Sequence, residues 1–204
     1  MARYGMVIDL NSCYGCQSCM AACSVENTTP FWIDQKDGGK WRVKIESREA
    51  GKFPDVVRYF AQGRCMHCDE APCQSVCPTA ATYTNADGTV LVKHEACIGC
   101  FACMSACPYD ARYVYSAEDV EKSKEFFGEH SKHLVPHVDK CSLCTHRVSV
   151  GLEPACSTTC IGEAIKFGDL DDKNSEIFKL VDTGKAKALL AHLGTKPKVF
   201  YIGL

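Results

Sequence analysis

No stretch of this 204-residue chain stays apolar for the roughly 18 to 20 residues needed to cross a bilayer. Its amino terminus, MARYGMVIDL, lacks the charged and apolar regions of a secretory signal. On this reading no segment of the chain anchors or exports it. Blocks of like charge are missing too. Basic and acidic residues are interspersed and the formal charge is −2, which excludes a nucleic-acid footprint and a polybasic membrane patch. Apolar residues make up 46% of the chain, enough to bury a core and too many for a disordered one. The length allows one or two compact units.

Cysteine is what the sequence has in excess, with sixteen residues, all of them in groups of four. Cys13, Cys16, Cys19 and Cys23 form C-x2-C-x2-C-x3-C, a spacing repeated by Cys97, Cys100, Cys103 and Cys107. Cys65, Cys68, Cys73 and Cys77 form C-x2-C-x4-C-x3-C, and Cys141, Cys144, Cys156 and Cys160 form C-x2-C-x11-C-x3-C. One device therefore occurs four times. Disulfides are poorly served by CYGCQSC, where three thiols share a tight loop with few partners at proper Cα separation. Structural zinc usually takes two well-separated C-x2-C pairs, whereas the first and third runs crowd four thiols within eleven residues.

A cubane iron-sulfur cluster suits this spacing. A tight loop with cysteines three apart wraps three corners, and the fourth ligand comes from elsewhere; in two-cluster ferredoxins the last cysteine of each run ligates the other cluster. The x3 step then reads as a short helix from one cluster to its neighbour, and Pro78 and Pro108 turn the chain directly after the run. Sixteen cysteines make four 4Fe-4S clusters. Sixteen thiolates against four oxidised cores give the loaded protein a charge of about −10, a burden met by backbone N–H groups aimed at sulfur. His67 is read as a residue beside the cluster rather than an iron ligand. Lys93, Arg112, Lys140, His146 and Arg147 flank the runs, either as donors and charges for the clusters or as solvated charges.

Between the runs the elements are short. Strands are expected at Tyr4–Asp9, 112–115 and 164–167, with a hairpin over 82–93 turning at Asn85, Ala86, Asp87 and Gly88. Helices are expected over 117–130, capped by Ser116, and over 175–192, interrupted at Gly184 and closed by Gly194. The terminal KPKVFYIGL is strand-like and apolar, and pairs either with this chain or with another.

The segments GMVIDLNSCYGCQSC, CMHCDEAPCQSVCPTAA, ACIGCFACMSACPYDARY and KCSLCTHRVSVGLEPACSTTC, in this order, resemble the iron-sulfur electron-transfer subunit of the dimethyl sulfoxide reductase family of molybdopterin oxidoreductases. Within it the chain looks most similar to the small subunits of polysulfide and thiosulfate reductases, with arsenate and tetrathionate reductases near. The resemblance covers nearly the whole chain. It departs at Ile161, where many relatives have proline, and it keeps Cys100, where some have tryptophan.

The resemblance implies that the first run pairs with the fourth and the second with the third. Cys13, Cys16, Cys19 and Cys160 would hold one cluster, and Cys23, Cys141, Cys144 and Cys156 the next. Cys65, Cys68, Cys73 and Cys107 would hold a third, and Cys77, Cys97, Cys100 and Cys103 the fourth. It further implies an α+β fold of two pseudo-symmetric two-cluster ferredoxin-like modules with short strands, loops and helices. Residues 1–60 with 131–170 form the first module and 61–116 the second; 117–130 is a helical insertion and 171–204 a C-terminal helical segment with a docking tail. Such a chain catalyses no bond chemistry. It is an electron-transport subunit of an anaerobic respiratory complex, between a large molybdopterin (Mo or W) catalytic subunit and an integral membrane quinone-handling subunit. Co-export with the catalytic subunit would place it peripherally on the periplasmic side, with the cytoplasm as the alternative. A free-standing soluble polyferredoxin is the competing reading.

Overall fold

The computed structural model describes residues 2–29, 40–132 and 135–204. In chain order the elements are β1 (Tyr4–Asp9), α1 (Ser18–Glu26), β2 (Val43–Lys52), β3 (Asp55–Arg64), α2 (Pro72–Ser75), β4 (Thr82–Thr84), β5 (Val90–Val92) and α3 (Ala102–Ser105). They continue with β6 (Tyr113–Tyr115), α4 (Ala117–Phe127), β7 (His137–Asp139), α5 (Thr145–Val148), α6 (Ala155–Thr158), β8 (Ile165–Asp169), α7 (Glu176–Asp182), β9 (Lys187–Ala188) and β10 (Val199–Ile202). Strands and helices alternate around small sheets, an α+β arrangement.

One four-stranded sheet, ordered β8-β1-β10-β9, organises the chain ends. Met6, Val7 and Ile8 of β1 are all fully buried because the sheet is covered on both faces. The period-two alternation of a strand sorts its side chains. Met6 and Ile8, with Val199 and Tyr201 of β10, join the core that also contains Cys19, Cys23, Cys68, Cys73, Cys103 and Cys156. Val7 and Ile202 face the other way, onto Leu170, Ala186 and Ile177 of α7.

The terminal KPKVFYIGL finds its partner inside the chain, as β10 runs parallel to β1 with Met6 opposite Val199. The segment read as a docking tail is therefore a strand of the chain's own sheet. The helix expected over 175–192 is also shorter than the apolar spacing suggested. Ser175 caps it by accepting from the Phe178 amide at 3.1 Å, but it ends at Asp182, where Gly184 takes a left-handed φ of 71°. Beyond that point Lys187 and Ala188 pair with Tyr201 and Phe200, so their backbone belongs to a sheet. The remaining expected strands and the hairpin of β4 and β5 are present within a residue or two, and Ser116 caps α4 through a full capping box with Asp119.

Sequence reasoning assigned no element to β2 and β3, which pair over ten residues each from Val43 opposite Arg64 to Lys52 opposite Asp55. The outer half of this ribbon is exposed on both faces, so it shows no apolar alternation. Phe53 at its tip is 92% exposed.

Candidate metal centres

All four cysteine runs begin with the same turn. The residue two after the first cysteine adopts a left-handed φ in each: Gly15 at 67°, His67 at 46°, Gly99 at 66° and Leu143 at 54°. Such a residue bends the backbone inward so that amides face sulfur. The His67 amide donates to Cys65 Sγ at 3.5 Å and the Leu143 amide to Cys141 Sγ at 3.4 Å. Glycine makes the bend cheaply at two of the four positions, where L side chains are disfavoured. The x3 steps then fall on helical turns, with Cys19 and Cys23 on α1 and Cys73, Cys103 and Cys156 on α2, α3 and α6.

The structure gathers the thiols into foursomes. Cys13, Cys16, Cys19 and Cys160 line one cavity, together with Gln62. Cys65, Cys68, Cys73 and Cys107 line a second, and Cys77, Cys97, Cys100 and Cys103 a third; Arg112 lines both of these. The three cavities are of similar size although built from different runs. Cys23, Cys141, Cys144 and Cys156 are all buried and act electrostatically on one another, and the Asn27 side-chain amide spans Cys23 Sγ at 3.5 Å and Cys144 Sγ at 3.8 Å. All sixteen thiols are free.

Neighbouring foursomes follow one another in a row. Cys19 of the first feels Cys156 of the second, Cys141 of the second feels Cys65 of the third, and the third and fourth share Arg112. The exposed thiols, Cys16 and Cys100, belong to the first and last foursomes.

These sites suit iron-sulfur clusters chemically. Burial pushes Cys19 and Cys68 up to about 11 and Cys141 up to about 12, and holds Cys23 well above its ordinary value. Thiols so placed ionise when a metal supplies the positive charge. Cys16 is held low by the Ser18 hydroxyl and amide. Cys77 also lies low, although burial opposes it, because Thr82 and Thr79 hydrogen-bond to its sulfur. Two buried donors beside the thiols, Arg64 Nε and Arg112 Nη2, find no hydrogen-bond partner among the described residues. Unpaired buried donors are costly, and cluster sulfur is an acceptor that would relieve them.

The flanking residues sort by burial. Arg112 and Lys140 are inside, and Lys140 donates to the carbonyls of Val90 and Cys141. Lys93 is exposed over the Tyr83 ring. His146 and Arg147 both hold Glu26, at 2.6 and 3.0 Å, tying the fourth run to the end of α1. His67 is buried and neutral, its pKa driven well below the usual range by burial and then by Lys140 and Lys198. Its Nδ1 accepts from the Val90 amide, and each foursome is complete without it.

Spacing missed Asn27, Arg42, Gln62 and Arg64, all buried polar residues outside the runs. Arg42 grips Asp139 through two hydrogen bonds, at 2.9 and 3.1 Å, and reaches Asn27 Oδ1 at 2.9 Å. His94 and His137 stack beside Asp139 with centroids 3.6 Å apart. Both Asp139 oxygens are engaged, by Arg42 and by the Tyr113 hydroxyl at 2.7 Å. A cation bound by that trio would compete with Arg42 for Asp139.

Comparison with known proteins agrees with this chemistry. A family model described as a 4Fe-4S dicluster domain matches residues 56–127 and 129–170, and a second of the same description matches 12–81. The chain is 37% identical to a tetrathionate reductase subunit from Salmonella typhimurium, over 99% of this chain and 73% of that protein. It is 38% identical to a polysulfide reductase chain from Wolinella succinogenes, over 98% and 94%. It is 36% identical to the arsenate respiratory reductase iron-sulfur subunit of a Shewanella species, over 98% and 96%.

Proposed function

Because the chain belongs to the 4Fe-4S dicluster iron-sulfur subunits of the dimethyl sulfoxide, tetrathionate, polysulfide and arsenate reductase group, we propose that it relays electrons between a molybdopterin catalytic subunit and a membrane quinone-handling subunit. The chain carries four 4Fe-4S clusters and is an electron-transfer subunit of a reductase complex in anaerobic respiration. Bound clusters supply one-electron redox chemistry, at potentials set by hydrogen bonding, charge and solvent exposure.

The ligand sets are Cys13, Cys16, Cys19 and Cys160; Cys23, Cys141, Cys144 and Cys156; Cys65, Cys68, Cys73 and Cys107; and Cys77, Cys97, Cys100 and Cys103. One observation carries this reading: three cavities of similar size are each lined by four thiols, three from one run and one from another. The first two sets form one module from residues 1–60 and 131–170, the last two a pseudo-symmetric module from 61–116. The repeated left-handed turns support that symmetry.

Within each module the chain's own residues hold the thiolates, burying nine of the sixteen cysteines and leaving Cys16 and Cys100, at the ends of the row, the most open to water. Those ends are where partners exchange electrons, the catalytic subunit at one and the membrane subunit at the other. No helix among the described residues is long and apolar enough to cross a membrane, so in this reading membrane contact runs through the partner. The complex sits on the periplasmic side, exported with its catalytic subunit, and reduces a substrate of the polysulfide, thiosulfate, arsenate or tetrathionate type. Native purification tests the assembly: a large molybdopterin-binding chain should copurify with this one. A soluble monomer that exchanges electrons with several unrelated enzymes would instead identify a free polyferredoxin.

A further inference from the structure

Two buried arginines occupy equivalent places in the row of foursomes. Arg64 is 2% exposed. Its Nη1 donates to Cys156 Sγ at 3.3 Å, and its Nη2 donates to Gln62 Oε1 at 2.6 Å. Gln62 Nε2 in turn donates to Cys13 Sγ at 3.3 Å. An unbroken hydrogen-bonded chain thus joins a thiol of the second foursome to one of the first. Burial opposes the charge on Arg64, yet Cys156, Cys141 and Cys19 outweigh it and hold the guanidinium firmly protonated.

Arg112 stands between the other two foursomes. It is 5% exposed, lines both of their cavities, and acts by charge and hydrogen bonding on Cys73 in one and Cys103 in the other. Its Nη1 donates to Thr82 Oγ1 at 3.1 Å. Each arginine also keeps one nitrogen without an acceptor among the described residues, Nε in Arg64 and Nη2 in Arg112. Two other buried cations near these foursomes differ: Lys140 donates to backbone carbonyls, and Arg42, which acts by charge on Cys23 and Cys144, is paired with Asp139.

We propose that Arg64 and Arg112 each set the potentials of two clusters at once, Arg64 for the first and second ligand sets and Arg112 for the third and fourth. Reducing a cluster adds one negative charge at a site already carrying four thiolates. A fixed guanidinium between two such sites favours the electron on both, so it raises both potentials together. The idea rests on the ligand sets proposed above. These are positioning residues for electron transfer, acting by charge on the iron that the cysteines hold.

The test uses the intact purified complex, with cluster spectra followed by electron paramagnetic resonance through a redox titration. The four signals are first assigned with Cys13→Ser, Cys23→Ser, Cys73→Ser and Cys77→Ser. Arg64→Gln should displace the one-electron equilibria of the first and second clusters at least tenfold towards oxidation, a drop of about 59 mV. The third and fourth should stay in place. Arg112→Gln should do the reverse, and the Arg→Lys variants should restore both pairs.

A shift confined to one cluster, equal shifts in all four, or no shift overturns the proposal. Iron lost in both the Gln and Lys variants also overturns it, because the role is then structural. Iron lost with Gln but kept with Lys, at native potentials, supports the charge. If potentials move in pairs but the cysteine variants place those clusters otherwise, the ligand sets fail while paired tuning stands.

Discussion

Replacing Arg42 by methionine should destabilise the second cluster site more than any surface change in the chain. Arg42 and Asp139 have side chains 6% and 3% exposed. Without the guanidinium, Asp139 is left in the interior with the Tyr113 hydroxyl donating at 2.7 Å. Breaking a buried pair by removing one partner costs about 3–5 kcal/mol. The surviving hydrogen bond offsets about 1 kcal/mol. A net loss of about 2–4 kcal/mol follows, worth roughly 30- to 1000-fold in an equilibrium constant.

The damage should reach the metal, because Arg42 also holds Asn27 Oδ1, and Asn27 turns its amide onto Cys23 and Cys144. Asp139→Asn should be milder, since the guanidinium it leaves behind is still favoured by Cys23. Combining both substitutions should recover much of the loss. The assay is anaerobic guanidinium denaturation followed by the visible absorbance of the clusters, run as a double-mutant cycle. Arg42→Met bleaching at the native midpoint, or a coupling of zero, would refute the reasoning.

Ser116→Ala removes the side-chain half of the α4 capping box and should cost about 1 kcal/mol, read as a lower denaturation midpoint with an unchanged slope. Glu26 is held below the usual carboxylate range by the His146 hydrogen bond and then by Arg147, so its stabilising effect is present above its ordinary value of 4.5 and is lost as pH falls. With His146 partly exposed, Glu26→Gln should cost at most about 1 kcal/mol near neutral pH. The gap between variant and native protein in paired thermal melts should close below pH 4.5. Ending the chain at Pro197 removes β10 and the burial of Val199, Tyr201 and Ile202, about 5–9 kcal/mol at 1.5–3 for each large side chain. That is comparable to the whole stability of a typical domain, so the truncated chain should be recovered without iron.

The cysteine groups were legible because ligand spacing is local: three thiols on one turn need only a short loop, and that loop recurs with the same backbone bend at Gly15 and Gly99. Strand β1 and the Ser116 cap were legible for the same reason. The grouping of Cys160 with Cys13 is a tertiary fact, and only the resemblance to a known family suggested it. The helix expected over 175–192 was overextended because Leu189 and Leu190 keep helical spacing, while Gly184 and the pairing of Lys187 with Tyr201 decide the backbone. The β2 and β3 ribbon left no trace because its exposed half has no apolar face. Arg42 and Arg64 were invisible for another reason: a buried charge looks like a solvated one until its partners, Asp139 and Cys156, are brought to it by the fold.

The exchange of ligands between runs is the claim on which the relay depends, and Cys160→Ser tests it most directly. Cluster signals in the intact complex should be compared by electron paramagnetic resonance with those of Cys13→Ser and Cys144→Ser. Cys160→Ser should alter the signal that Cys13→Ser alters, although Cys160 lies four residues from Cys156 in the fourth run. Loss of the signal that Cys144→Ser removes, with the Cys13 signal intact, would contradict it.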